Sequence, residues 1–174
     1  MSFKQRYARA MDRIYLVLIV ISGTALIAIT LMIPAGVFMR YVVNSPMSWP
    51  EPASVIMMVM FSFLGGAAVY RANGHVAVKA LMNAVSPAKR LVMEWMVTAC
   101  MLATAGFMLY YGIELCITTW PQSIAEFPGL SVGLTYLPIP IAGLLTLLFI
   151  FEQIWVGTPP PTSIMYRDVA VDLE

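Results

Sequence analysis

The chain has 174 residues, 60% of them hydrophobic and only 11% charged, with a formal net charge of +1 and a mean hydropathy of +0.83. A soluble domain carries about a quarter of its residues as charges, so this composition excludes an ordinary water-soluble fold. The apolar runs are too long and continuous for barrel strands, and in hydrocarbon every backbone polar group must be satisfied internally. The sequence therefore predicts an all-α integral membrane protein with four transmembrane helices, over residues 14–39, 52–71, 88–113 and 134–155.

Residues 1–13 form a basic lead-in. Phe3, Tyr7 and Ala10 share one helical face, while Lys4, Arg6 and Arg9 either set topology or reach anionic headgroups; Arg13 adds a fourth base before the first span. The uncharged run that follows is longer than the roughly 15 residues of a signal-peptide core, and no A-x-A cleavage site ends it. It reads as a retained first span, with Pro34 the expected site of a kink and Arg40 and Tyr41 at its end.

Asn44, Ser45 and Pro46 then turn the chain. Ser48-Trp49-Pro50-Glu51 fits a capping box, with Ser48 as cap; the alternative start has Glu51 as cap and Pro52 as first helical residue. Glu51 has two further readings, an ion pair with Arg40 or a contact with another subunit.

The second span concentrates small residues, Ser62, Gly65 and Gly66 followed by Ala67 and Ala68. The third has its own set in Ala99, Ala103 and Gly106. Small residues let helices approach closely in lipid, so these two spans are expected to pack on each other. The methionines clustered in both are adaptable packing material.

Asn73-Gly74 reads as a helix stop. Beyond it, Val78, Leu81, Met82 and Val85 form one face and His75, Lys79 and Asn83 another, which predicts a short interfacial helix between spans two and three. Ser86 and Pro87 are the expected cap and first position of span three, with Arg90 and Glu94 paired one turn apart. Cys100 and Cys116 fall about 24 Å apart on that span, beyond disulfide reach.

The connection carrying Glu114, Trp120 and Glu126 is too apolar for a free loop, so residues 124–134 are expected in the interface or against a neighbour. Span four has Tyr136, Pro138 and Pro140 near its start and closes at Glu152 and Trp155, making 14–156 one membrane domain. Residues 157–174 form an expected flexible cytoplasmic tail. Bases gather before the first span and between the second and third, which places both termini in the cytoplasm.

Catalytic patterns are missing. A single histidine cannot supply paired haem ligands, and neither a phosphate loop, a C-x-x-C pair nor an H-E-x-x-H motif occurs. The interiors of spans one, two and four carry no charge, whereas a self-sufficient proton or cation pump needs a buried acid. These features predict a protein that is not an enzyme, holds no cofactor or metal, and works with a partner.

Arg40-Tyr41, Ser48-Trp49 with Glu51, Phe63-Leu64-Gly65-Gly66-Ala67, Arg71, and Gly74-His75-Val76 with Val78 occur in that order, and Tyr136 with residues 138–140 follows. In these features the chain resembles the small permease (Q-type) subunit of tripartite ATP-independent periplasmic (TRAP) transporters, from Arg40 almost to its end. Pro52 and Lys79 depart from the pattern, standing where the family often has acids.

The resemblance implies a subunit of a sodium-coupled importer of organic anions, mainly carboxylates, in the bacterial inner membrane. Its implied partners are a large elevator-type permease subunit, which it braces and which holds the substrate and sodium sites, and a periplasmic binding protein that it helps dock. Arg40, Trp49, Glu51, Arg71 and His75 are the candidates for partner contact or interfacial anchoring. Two other classes stand beside this reading. A small four-span exporter needs an acid in an early span, and a membrane anchor of a redox enzyme needs haem ligands from elsewhere.

Overall fold

A computed structural model describes residues 3–72 and 87–157. Among them, four helical segments are long and apolar enough to cross a bilayer, so the protein is a mostly helical, four-span membrane protein. The expected interfacial helix, with His75 and Lys79, and the 158–174 part of the tail lie outside the described residues.

Helix α1 is continuous from Phe3 to Tyr41, so the basic lead-in and the first span are one element. Its 39 residues extend about 58 Å at 1.5 Å per residue, against a hydrocarbon core of about 30 Å. Pro34 lies inside it. The turn that follows contains Asn44 at φ 55°, in the left-handed region that asparagine tolerates better than most residues.

Helix α2 spans Pro50–Arg71. Its cap corrects both sequence expectations. Trp49 occupies the cap position with no side-chain cap bond, and Pro50 is the first helical residue. Proline suits that position because its missing N–H would have had no intrahelical acceptor. The Trp49 carbonyl accepts from the Ala53 N–H at 3.1 Å.

Helix α3 runs from Pro87, as expected, to Thr119, carrying Glu114 and Cys116 on the helix beyond the predicted end of span three. Arg90 and Glu94 pair at 2.9 Å, and both cysteines are free. The connection beyond α3 folds into a small antiparallel hairpin, β1 (Ser123–Ile124) and β2 (Phe127–Ser131), with Ser123 opposite Ser131. The Ser131 hydroxyl ties it down. It donates to the Trp120 carbonyl at 2.7 Å and accepts from the Gly133 N–H at 3.1 Å, which caps the short helix α4 (Val132–Tyr136). Pro138 then opens helix α5, Pro138–Trp155.

The helices pack α1 on α2, and both α2 and α3 on α5. This corrects the expected pairing of spans two and three, which share no extended contact among the described residues. The close approach of α3 uses a different helical row from Ala99, Ala103 and Gly106. A Cβ on Gly143 of α5 would lie 2.8 Å from the Leu109 backbone nitrogen and 2.9 Å from the Ala105 carbonyl oxygen, and one on Gly112 would lie 2.9 Å from Pro140 Cδ.

Gly65 faces Ser22 of α1, whereas Ser62, Gly66, Ala99 and Ala103 are exposed and a Cβ on Gly106 would meet nothing within 4 Å. The core therefore centres on α5, with Ala142, Phe149 and Ile150 buried against Leu64, Ala67, Ala68 and Ala105. Outward-facing Val17, Leu31, Val55, Leu102, Phe107 and Ile154 are exposed; in water such surface is costly, and in a bilayer lipid is its solvent.

Candidate functional site: an ion triad joining three helices

The last residue of α2 is its most consequential. Arg71 is 1% exposed, among the largest fully buried side chains of the described residues. A charge so placed is tolerable only when paired and hydrogen-bonded. Its Nε and Nη2 donate to the two carboxylate oxygens of Glu152 on α5, each at 2.8 Å. Nη2 also donates to Asp12 Oδ1 on α1 at 2.8 Å.

The planar guanidinium matches a carboxylate with two parallel bonds, a geometry lysine cannot reproduce. The Tyr15 and Phe149 rings lie 5.7 and 5.4 Å from the guanidinium carbon, adding cation–π attraction on the remaining faces. Nη1 is buried without a protein acceptor among the described residues.

Each helix contributes for a physical reason. A cation is favoured at the C-terminal end of α2 by the helix dipole, but an acid near the C-terminal end of α5 is not. Glu152, 3% exposed at its side chain, is held there by the guanidinium. Asp12 is 28% exposed, so water shares in solvating the surplus negative charge.

Neighbouring contacts extend the joint. Tyr70 donates to Gln153 Oε1 at 3.2 Å, and the Tyr7 hydroxyl to the Leu148 carbonyl at 3.2 Å. The Tyr7 ring meets Phe151 and Trp155 edge-on, at 6.0 and 6.1 Å between centroids. The lead-in is thereby packed against the end of α5.

At the opposite end of α1 and α2, Arg40 and Glu51 line one groove of about 430 Å³ with Met47, Val55 and Met58. Neither side chain has an ion-pair partner among the described residues, so the pair considered from sequence does not form. Trp49 beside them is 41% exposed. The structure thus gathers Arg40, Trp49 and Glu51 at one end and sets Arg71 at the other.

Sequence reasoning singled out Arg71 but not Asp12 or Glu152. The available signal was their common level: Asp12 at the start of span one, Arg71 at the end of span two and Glu152 near the end of span four all fall on one side of the membrane. Among the described residues there is no cluster of three His, Cys, Asp or Glu able to hold a metal ion.

Residues 29–158 match the family model of the DctQ component of tripartite ATP-independent periplasmic transporters. The chain belongs to the DctQ family. It is also 30% identical over 130 residues to a Haemophilus influenzae protein assigned as a TRAP transporter small permease protein, a match covering 72% of this chain and 76% of that one. The DctQ assignment makes the chain a small TRAP permease subunit, a component of a transporter, and a multi-pass membrane protein. Arg71 and Glu152 fall inside the DctQ match, and Asp12 lies upstream of it.

Proposed function

We propose that this DctQ-family subunit is a static brace in a sodium-coupled importer of organic anions, mainly carboxylates, in the bacterial inner membrane. It holds the large elevator-type permease subunit in place and adds outer surface on which the loaded periplasmic binding protein docks. Both termini face the cytoplasm, in keeping with the basic lead-in.

The observation that carries this reading is the triad. Three helices are tied together by a buried, charge-assisted joint, a construction suited to a part that stays still. The uncharged interiors of these spans supply no site for a carboxylate or sodium, so the moving site belongs to the larger subunit. Arg40, Trp49 and Glu51, exposed and unpaired with each other, form the outer contact with that subunit, and His75 contributes to the inner one. Arg71 contributes by anchoring the chain's own helices.

Affinity purification of the chain from its native membranes in mild detergent tests the reading. A stoichiometric, larger multi-spanning permease is expected to accompany it, and Trp49→Ala is expected to lower its recovery and solute uptake severalfold. Purification of the chain alone, or unchanged recovery and uptake in the variant, would count against the brace and its outer contact respectively.

A further inference from the structure

A groove of about 540 Å³ runs between α1, α2, α4 and α5, walled by Val17, Met60, Ile141 and Leu145 among other apolar side chains. Two lining residues carry polar side chains. The Thr135 hydroxyl is already committed to the Val132 carbonyl at 2.7 Å. The other is Arg13 at one end, exposed and without a hydrogen-bond or ion-pair partner among the described residues.

Arg13 adjoins Asp12 in sequence, so it sits near the level of the triad, about 9 Å along α1 from Tyr7, whose ring meets Trp155. That is the depth at which an arginine reaches lipid phosphate while its stem stays in hydrocarbon. Arg9 and Arg6 precede it by four and seven residues, on the same helical face and leading away from the groove.

We propose that this groove is a site for one anionic phospholipid, its acyl chain lying along Val17, Met60 and Leu145 and its phosphate at Arg13. Charge complementarity selects this occupant. An apolar helix seated in the groove would leave Arg13 uncompensated, whereas an anionic lipid satisfies cation and hydrocarbon together. The groove lies apart from the Arg40 and Glu51 surface, so the site stands whether or not that surface meets a partner.

The test uses the full chain, purified with any subunits that accompany it, stripped of loosely held lipid and offered equimolar phosphatidylglycerol and phosphatidylcholine before native mass spectrometry. One phosphatidylglycerol per chain is expected, preferred about fivefold, the worth of one basic residue near an anionic headgroup. Arg13→Gln should bring the two lipids within about twofold of each other.

Val17→Trp, at a position 55% exposed, should reduce retention of both lipids severalfold while the thermal unfolding midpoint stays unchanged. Equal retention of the two lipids by the natural chain, a preference that survives Arg13→Gln, or retention that survives Val17→Trp would overturn the site. So would a Val17→Cys chain that cross-links through this position to a second copy or to an accompanying subunit.

Discussion

The two ends of the α1–α2 pair treat charge in opposite ways. At one end Arg71 is enclosed, bonded twice to Glu152 and once to Asp12, and flanked by two rings. At the other, Arg40 and Glu51 line the same groove without pairing. The first arrangement uses charge to hold the chain's own helices together. The second leaves both signs available to something outside the chain. Stability should therefore depend on the Arg71 end and assembly on the Arg40 end.

Arg71→Ala gives the largest expected effect. It strands Glu152 in a nearly dry setting, and removing one partner of a buried pair costs about 3–5 kcal/mol. The thermal midpoint in detergent should fall steeply, and replacing Arg71 by Met together with Glu152 by Leu should restore most of it. If Arg40→Ala lowered the midpoint as much, the contrast between the ends would be wrong.

Gly143→Leu comes next, at about 1–3 kcal/mol of overpacking. It pushes α3 away from the helix that carries Glu152, so it asks whether the seat of α5 is what delivers that acid to Arg71. Asp12→Asn should cost about 1 kcal/mol, because a hydrogen bond persists and the site is partly solvated. A loss as large as that from Arg71→Ala would mean that both acids matter equally.

Smallest in stability are Arg40→Gln and Glu51→Gln, each within about 0.5 kcal/mol as surface changes. Their expected effect is a severalfold loss of the larger subunit on purification. Undiminished recovery in both variants would show that the unpaired charges are not the assembly surface.

The four spans were legible because length and hydropathy are local properties, and so were the start of α3 at Pro87 and the Arg90–Glu94 pair, set by a single turn of helix. Helix pairing was not legible in the same way. Ala99, Ala103 and Gly106 are small, yet the row that meets α5 is Ala105, Leu109 and Gly112, rotated by one residue around α3. Composition does not say which of two small faces finds a partner.

The triad was hidden for a related reason. Asp12 lies among arginines and reads as part of a basic lead-in, and Glu152 reads as the polar end of a span; only the fold brings both to one guanidinium. The cap of α2 was misplaced because Ser48 and Glu51 carry suitable side chains, while Pro50 imposes a helix start that needs no side-chain donor or acceptor.

Arg71 and Glu152 are separated by 81 residues, Arg71 and Asp12 by 59. During synthesis the arginine therefore enters the membrane region with only its earlier, weaker acid to meet, and the bidentate partner arrives with α5. A chain cut short before Glu152 leaves Arg71 with Asp12 as its one carboxylate partner among the described residues. The stability of the described bundle thus depends on the arrival of α5: that helix acts as a latch, and an unlatched subunit presents the kind of half-paired membrane charge that quality-control proteases can tell from a latched one.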